Sequence, residues 1–380
     1  MNEKIVNLFW QFWNQWLKYR YVDPIVGFAR LLVTLGVGLM APGGLWWLAV
    51  ALEIKPLSLP ASFTLSAGPE TVTYTGFILL VVGVLLGIWG LHRVRKARSS
   101  CLVYLRGLPG MHDQPPTDDL PPKYRYGEVT HLSLDTHNQS TERVLEHIEM
   151  FGKMLDEKIL SMNLEAPVTV FAGLAPVPLL YAAGVRLSTR QNLLVMDYNR
   201  FEQKWHMLDD KDDGERVDIS YPNGRIDADI AIALPFTITI ADSQIPSSLK
   251  DKTIWIRLNG TGPRTDAFSS EEKMRCVLRT VHDVIRNLRS REGYDHVERV
   301  HLFIAAQAST VFKLGTEYQS NAYPEMRIYH FQGGDGKYTW GISVRNSQFC
   351  ILNGFLDLGS GHANILTLHR NGQNLCQIGP

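Results

Sequence analysis

Polar and basic side chains that could bind a phosphate group or the edge of a base recur in short loops along the chain. The hydroxyl and amide groups among them offer neutral donors and acceptors, whereas Arg264 and Lys313 would neutralise phosphate charge. Helix capping is the alternative role for Asn138 and Ser309 taken singly, and a plain turn is the alternative for residues 259–262. As a set, these residues favour a binding site. They are Thr136, Asn138, Asn259, Thr261, Arg264, Gln307, Ser309, Thr310 and Lys313.

Aromatic side chains cluster around the third strand and the following hairpin of each half of the chain. Flat rings are the stacking partners that bases in a single-stranded ligand need, although most such residues belong to a protein core. We expect Tyr338 and Trp340 to come first among those that contact a ligand, because the Gly-rich run 333–336 makes their hairpin mobile. The candidates are Tyr198, Trp205, Tyr329, Phe331, Tyr338 and Trp340.

Residue patterns for catalysis and for metal binding are weak. The run Leu-Gly-Ser-Gly-His at 358–362 lacks the strand-turn-helix setting of a nucleophile elbow. The acidic run 209–213 has neither calcium-loop spacing nor a closing glutamate, so a solvated loop is the better interpretation. No cluster of His, Cys and Asp has metal-ligand spacing. We therefore expect no enzyme activity, no cofactor and no metal.

Alternating strands and helices would bring the polar loops together. Strand-like runs at 129–134, 168–171 and 193–198 enclose an amphipathic helix from about residue 138 and a short helix that Pro176 opens. This is the order of a doubly wound parallel sheet, where ligands bind at the carboxyl ends of strands and helix N-termini favour phosphate. The loops at 135–138, 174–176, 259–264 and 307–310 fall at those ends.

The same order of elements recurs in the second half of this region. A strand at 253–258 precedes a helix from about Ser269, whose Ser-x-x-Glu start indicates a capping box. Residues 300–304 align with 168–172, Gly315 aligns with Gly184, and each half closes with an aromatic on a further strand, Trp205 or Trp340. Order and spacing together predict a duplicated Rossmann-like unit.

The N-terminal part of the chain is apolar and rich in Trp and Gly. Residues 28–52 and 73–91 are long and apolar enough to cross a membrane, and Pro42 predicts a kink in the first segment. A cleaved signal peptide is the alternative for the first segment, but the long aromatic stretch before it does not suit one. That stretch, within residues 1–24, alternates aromatic and polar residues at helical spacing, which predicts an interfacial amphipathic helix.

Basic residues flank the two apolar segments on the sides away from the loop at 53–72. The positive-inside rule therefore places both termini and the soluble domain in the cytoplasm. Glycines in both segments, including Gly83 and Gly87, suit close helix packing and hint at assembly. Neither segment has the Asp, Glu or His of an ion pathway, which argues against a transporter.

Composition adds limits rather than a function. The chain has 38 Lys and Arg against 38 Asp and Glu, so a nucleic-acid coat or a polybasic lipid binder is not expected. Its 4 cysteines form neither a Cys-x-x-Cys pair nor a metal-ligand pattern. A reducing compartment fits this spacing best.

The duplicated halves, the second with VHLFIAAQASTVFKLGTEYQ at 300–319, MRIYHF at 326–331 and YTW at 338–340, resemble the SAVED domain. That family is related to the CRISPR-associated Rossmann fold (CARF) sensors and binds cyclic oligonucleotides. Two spans before such a domain resemble the membrane-anchored SAVED effectors of bacterial antiphage systems. Family members often have Pro in the turn after the strand at 300–304, where this chain has Ala306, Gln307 and Ala308, whereas the first half keeps Pro176.

The expected fold is two N-terminal transmembrane α-helices followed by an α/β domain of two tandem Rossmann-like, CARF-like halves. The expected divisions are an interfacial helix at 1–24, a membrane region at 25–98, a linker at 99–126, a first half at 127–250 and a second half at 251–380.

The resemblance implies an antiphage effector in the bacterial inner membrane. Its ligand would be a cyclic di- or trinucleotide made by a partner nucleotidyltransferase. Binding would drive self-association into oligomers or filaments, and the helices would then disrupt the lipid membrane. A membrane-tethered phosphodiesterase and a passive anchored receptor are the alternatives.

Overall fold

The computed structural model describes residues 24–40, 69–97, 99–107, 114–125, 129–136, 139–161, 168–190, 192–223, 226–333 and 336–353, with three strand fragments at 365–366, 369–370 and 373–374. The chain divides into two compact units, with the boundary between Ser99 and Ser100. Residues 1–23 of the interfacial helix expected at 1–24, the kink at Pro42 and Asn138 lie outside the described residues.

The N-terminal unit contains an antiparallel pair of apolar helices, α1 (Pro24–Met40) and α2 (Pro69–Ala97). Glycines make their contact: a Cβ on Gly36 would lie 2.6 Å from the Gly76 carbonyl oxygen, and one on Gly83 would lie 2.8 Å from the Val33 nitrogen. The side of α2 turned away from α1 exposes large apolar side chains, such as Phe77, Ile78, Leu85 and Ile88.

Within the described residues, one helix is long and apolar enough to cross a membrane, over Thr73–His92. Helix α1 is shorter, and the remainder of the predicted first span, 41–52, lies outside the described residues. The expectation of two spans is therefore not confirmed.

The second unit is built on two sheets. The first has the strand order β2-β1-β3-β4-β5, and the second has the order β13-β12-β11-β10-β9-β7-β8-β6. The strands are β1 Ser100–Arg106, β2 Val129–Asp135, β3 Val168–Leu174, β4 Leu193–Asn199, β5 Lys204–Met207, β6 Val217–Ser220, β7 Asp229–Pro235, β8 Thr253–Leu258, β9 Arg299–Ala305, β10 Glu325–Gln332, β11 Lys337–Arg345, β12 Gln348–Asn353 and β13 Ile365–Leu366. A separate two-stranded ladder joins β14 His369–Arg370 to β15 Gln373–Asn374.

Helices connect the strands in both halves. The unit contains α3 Pro122–Arg125, α4 Thr141–Ser161, α5 Val177–Leu187, α6 Ser247–Lys250, α7 Glu271–Arg286 and α8 Ala308–Thr316. Ser140 and Ser270 begin α4 and α7 in the same way, because each side-chain oxygen accepts a hydrogen bond at 3.4 Å from the backbone N–H three residues on. The cap of α7 is thus Ser270 rather than the Ser269 of the predicted capping box.

The predicted duplication is present in the strand order. In each half, three parallel ladders join four strands and an antiparallel strand follows: β2-β1-β3-β4 with β5, and β8-β7-β9-β10 with β11. The first strand of each repeat was missed. Strand β1 lies in the predicted linker at 99–126, and β6 and β7 lie before the predicted boundary at 251. Short apolar runs have no helical or strand period of their own, so sequence does not identify them.

The two halves meet where α5 crosses α8. A Cβ on Gly184 would lie 2.1 Å from the Phe312 carbonyl oxygen, and one on Gly315 would lie 2.2 Å from the Tyr181 carbonyl oxygen. The rings of Phe171 and Phe312 stack beside this crossing with centroids 3.5 Å apart. The two glycines that align in the sequence are therefore the reciprocal contact between the halves.

Three cysteines lie among the described residues. Cys101 and Cys276 are free, and burial raises the pKa of the Cys101 thiol to about 11. Cys350 is disulfide-bonded.

Candidate functional site

The carboxyl ends of the parallel strands in the first half form a tightly packed edge. The Thr136 N–H donates to the Arg106 carbonyl oxygen at 2.6 Å, and the Gly107 N–H donates to the Leu174 carbonyl oxygen at 2.7 Å. A Cβ on Gly107 would lie 2.5 Å from Thr136 Oγ1 and 2.8 Å from Ala175. Glycine is therefore needed where β1 ends, because the loops after β2 and β3 close over it.

The corresponding edge of the second half is held by the loop after β7. The backbone N–H groups of Phe236 and Thr237 both donate to the Ala305 carbonyl oxygen, at 2.9 and 2.8 Å. The bond from Phe236 corresponds to the bond from Gly107, because β7 and β9 occupy the positions of β1 and β3. The Arg264 N–H in turn donates to the Phe236 carbonyl oxygen at 3.2 Å, which attaches the loop after β8.

Gln307 joins the two halves at this edge. Its Nε2 donates to the Asp197 carboxylate on β4 and to the Phe268 carbonyl oxygen at 3.2 Å, while its Oε1 accepts from the Phe268 N–H at 2.7 Å. Asp197 is buried, and its burial raises the pKa of the carboxyl group. A residue predicted to contact ligand thus has a structural role, and its partner Asp197 was missed because nothing in sequence marks a buried acid.

The second half presents different chemistry at the equivalent position. By strand register, His330 and Trp340 on β10 and β11 occupy the places of Asp197 and His206 on β4 and β5. Burial lowers the pKa of His330, and the ring centroids of His330 and Trp340 lie 5.5 Å apart. Trp340 is half-buried. Equivalent strand positions therefore carry a buried acid in the first half and an imidazole beside an indole in the second.

Buried polar atoms without a partner concentrate at this edge. Ten side-chain atoms among the described residues are buried and lack a hydrogen-bond partner, and six of them lie just after β2, at the start of α8, or at the β10–β11 end. Such atoms are costly unless something satisfies them, so this edge is the candidate binding site. The six are Thr136 Oγ1, Gln139 Oε1, Ser309 Oγ, Thr310 Oγ1, His330 Nδ1 and Thr339 Oγ1.

Arg264 is already paired with acidic side chains. Its Nη2 lies 2.7 Å from Glu215 Oε2, and the buried Lys273 Nζ lies 2.5 Å from the same oxygen and 2.8 Å from Asp213 Oδ2. Hydrogen bonds from Arg264 and Lys273 hold the pKa of Glu215 below its usual value. A phosphate role for Arg264 would require it to leave Glu215. The acidic run at 209–213 is thus partly an ion-pairing segment rather than a solvated loop.

The other polar candidates of the second half are distributed along this surface. Thr261 Oγ1 accepts from Arg264 Nη1 at 3.0 Å, and Asn259 Oδ1 accepts from the Arg216 N–H at 3.0 Å. Lys313 is half-buried on α8. Among the described residues, no group of His, Cys, Asp and Glu side chains is arranged to hold a metal ion.

Most aromatic candidates lie in the core. Tyr329 and Tyr338 are 7% and 3% exposed and pack around Phe303 on the outer face of the second sheet, with Phe331 at the margin. Tyr198 and Trp205 pack on the outer face of the first sheet. Trp205 occupies the position of Tyr338, not of Trp340, because the bulge at Thr339 shifts the register and turns Trp340 to the inner face. Trp340 alone of the six packs against the main core on the inner face.

Comparison with known families decides the classification. The SAVED family, described as the SMODS-associated and fused to various effectors sensor domain, matches residues 153–344, just over half of the chain. The chain belongs to the SAVED family. The SAVED match extends from within α4 to the end of β11, so it includes Gln307, His330 and Trp340. No curated protein matches this chain.

Solved SAVED structures show only a distant likeness. An Acinetobacter baumannii Cap4 SAVED/CARF-domain containing receptor with the cyclic trinucleotide 2′3′3′-cAAA is 14% identical, with a TM-score of 0.41 over 71% of this chain and 57% of that chain. The same receptor with 3′3′3′-cAAA is 13% identical, with a TM-score of 0.42 over 78% and 64%. A Moraxella osloensis Cap4 receptor is 11% identical, with a TM-score of 0.40 over 70% and 58%. This chain thus spans less than two thirds of each receptor's length.

Proposed function

We propose that this chain is a membrane-anchored sensor of a cyclic oligonucleotide in bacterial antiphage defence. The ligand, a cyclic di- or trinucleotide from a partner nucleotidyltransferase, binds between the two halves of the SAVED domain. Bound domains associate with one another, and the associated N-terminal helices disrupt the inner membrane. Both termini and the SAVED domain lie in the cytoplasm.

The observation that carries the ligand proposal is the group of six unpartnered buried polar atoms at the carboxyl edge. These atoms come from loops and strand ends of both halves, and Ser309 and Thr310 directly follow Gln307, which bonds Asp197 of the first half. A ligand with several phosphates and bases supplies donors and acceptors for both halves. A cyclic molecule also suits a site formed by two related halves, since its nucleotides repeat as the halves do.

The membrane part of the proposal rests on the apolar surface of α2 and on the basic residues beyond it. Large apolar side chains that point away from α1 have lipid as their natural solvent.

The proposed self-association sets a requirement on the ligand. To move an equilibrium between separate and associated domains from 1:99 to 99:1, the ligand must favour the associated form by roughly 5.5 kcal/mol.

Titration calorimetry tests the ligand proposal directly. The full chain in detergent is titrated with 3′3′3′-cAAA, 2′3′3′-cAAA and a panel of cyclic dinucleotides, and the nucleotide is then recovered and weighed by mass spectrometry. We expect saturable binding of at least one cyclic compound and its recovery intact. Linear products would instead identify a phosphodiesterase, and no binding across the panel would reject the sensor proposal.

A dye-release assay separates an effector from a passive receptor. Liposomes containing only this chain should leak when the ligand found by calorimetry is added. Ligand binding without leakage would mean that another protein delivers the response.

A further inference from the structure

Within the described part of the chain, strand β2 has an open edge at a position where the second half has an extra strand. In the second sheet, β6 pairs antiparallel with β8 and covers its outer side. Strand β2 is the counterpart of β8, and among the described residues it pairs with β1 alone. An uncovered strand edge with free N–H and C=O groups is a template for another strand.

The register identifies which backbone groups point to that edge. The Thr136 N–H donates to Arg106 of β1, and backbone groups of alternate residues in a strand point the same way. The backbone N–H and C=O groups of His131 and Ser133 therefore point away from β1, to the open edge. The second half follows the same rule. The Asn259 N–H, just after β8, donates to the carbonyl oxygen of Arg216, just before β6, so alternate residues of β8 point their backbone groups to β6.

The helix beside β2 is uncovered in the same place. When the helices are aligned at their caps, Met150 and Met154 on α4 correspond to Thr280 and Val284 on α7. On α7, these two residues line a groove of about 410 Å³. The other side of that groove is lined by Ile219 of β6 and by Tyr221, which follows β6. Without a β6 counterpart, Met150 is 48% exposed.

We propose that the open edge of β2 binds the β2 strand of a second copy of this chain, in an antiparallel pair centred on Leu132. A two-fold axis through Leu132 places His131 opposite Ser133 of the other copy. The outward groups of these residues then exchange both of their hydrogen bonds, as in a hydrogen-bonded antiparallel pair. The antiparallel direction is also the one in which β6 covers β8.

This pairing gives the self-association in the proposed function a specific surface. It is a small contact, so it is tested at high protein concentration, where a weak dimer is populated. Because the pairing needs no ligand to be observed, its test is independent of the test for ligand binding.

Mixed-variant cross-linking tests the register. His131→Cys and Ser133→Cys are made separately in the full chain in detergent, mixed without ligand, concentrated, and oxidised with copper phenanthroline. Opposed residues in such a pair lie about 5.5 Å apart at Cα, within disulfide range. We expect reducible dimers in the mixture and several-fold less dimer with either variant alone or with the parent. No dimer in the mixture, or as much with one variant alone, would overturn the proposal.

A head-to-tail arrangement has its own signature. Mixing Ser133→Cys with Asp218→Cys on β6 would join β2 of one copy to β6 of the next. Dimers in that mixture, but not with His131→Cys, would replace the two-fold pair with an open chain of subunits.

A proline substitution tests the edge without cysteine chemistry. Ser133→Pro removes an outward N–H that makes no bond to β1, and proline is tolerated on such edges. Ser133→Ala keeps that N–H and serves as the matched control. By sedimentation, Ser133→Pro should weaken dimerisation at least tenfold while Ser133→Ala does not, with both melting like the parent. If Ser133→Pro melts early, the cross-linking result alone decides.

Discussion

Thr310 has a hydroxyl group with no hydrogen-bond partner, although the residue is only 1% exposed. Ser309 beside it has the same property. A buried hydroxyl without a partner costs about 1–3 kcal/mol, so a ligand that satisfies it recovers that free energy. The same reasoning distinguishes residues prepared for a ligand from residues such as Gln307, whose hydrogen bonds lie within the protein.

Thr310→Val should therefore leave the melting temperature unchanged or higher and weaken ligand binding about tenfold, since valine has the same shape without the hydroxyl. Calorimetry and thermal melting measure the two effects. Thr316→Val on the same helix is the control, because the Thr316 hydroxyl already donates to the Lys313 carbonyl oxygen at 2.7 Å. Equal affinity of Thr310→Val and the parent would remove Thr310 from the site.

Asp197 makes stability depend on pH in a defined direction. Burial raises its pKa in the folded state above the unfolded value of about 3.9, so the folded state binds the proton more tightly. Stability is then lost as pH rises from the unfolded pKa through the folded pKa. Asp197→Asn should melt higher than the parent at pH 7.5, and the difference should shrink as pH falls through the raised folded-state pKa towards the unfolded value. A variant that melts lower at pH 7.5 would mean that Gln307 needs the charge.

At the scale of elements, two helix pairs depend on glycine contacts. The crossing of α5 and α8 brings Gly184 and Gly315 against facing backbone, and the pair α1 and α2 meets at Gly36, Gly76 and Gly83. The first pair joins the halves of the SAVED domain, and the second forms the N-terminal unit. In each, one methyl group is enough to force the helices apart.

Gly184→Ala should destabilise the domain by about 1–3 kcal/mol or more, because the new Cβ meets the Phe312 carbonyl oxygen rather than a side chain that can move. Chemical denaturation of the full chain measures the loss. Gly333→Ala is the control, since nothing lies within 4 Å of a Cβ there. If both variants unfold at the parent's midpoint, the crossing is looser than the distances indicate.

The glycines of α2 differ from one another in a way that the sequence alone did not distinguish. A Cβ on Gly83 would lie 2.8 Å from Val33, whereas one on Gly87 would lie 3.7 Å from Ala29, an ordinary contact. Gly83→Ala should therefore reduce ligand-triggered liposome leakage, and Gly87→Ala should leave it unchanged, with ligand affinity equal in both. Leakage at the parent's level from Gly83→Ala would mean that the contact of α1 with α2 is not part of the effector.

At the scale of the whole molecule, the position of β1 decides where the chain can be divided. Strand β1 begins at Ser100 and lies between β2 and β3 in the first sheet. A soluble fragment must therefore include it, although the sequence placed the domain boundary at residue 127.

A fragment of residues 99–380 should bind the ligand with the parent's affinity and cause no leakage. A fragment of residues 127–380 should neither melt cooperatively nor bind, because β2 and β3 lose the strand that joins them. Calorimetry and thermal melting of the two fragments test this. Binding by the shorter fragment would make β1 dispensable, and leakage caused by the longer one would place the effector outside the N-terminal helices.

Sequence by itself determined the features that have a regular hydrophobic period or an unusually apolar composition. The amphipathic helices α4 and α7, the apolar α2, the duplicated order of strands and the alignment of Gly184 with Gly315 could all be predicted, because periodicity and spacing are local properties. The SAVED resemblance followed from the same strands and was confirmed by the family match. Ser309, Thr310 and Thr136 were predicted as candidates because loops after parallel strands meet at one edge, and they stay a prediction.

Tertiary structure decided which candidates already have hydrogen-bond partners within the chain. Arg264, Gln307 and Asn259 have partners within the chain, while His330 and Thr339 lack partners at buried atoms. Register decided that Trp340 faces inward and Tyr338 outward, because one bulged residue reverses the alternation. Such facts depend on contacts between residues far apart in the chain, such as Asp197 with Gln307, and no local pattern encodes them.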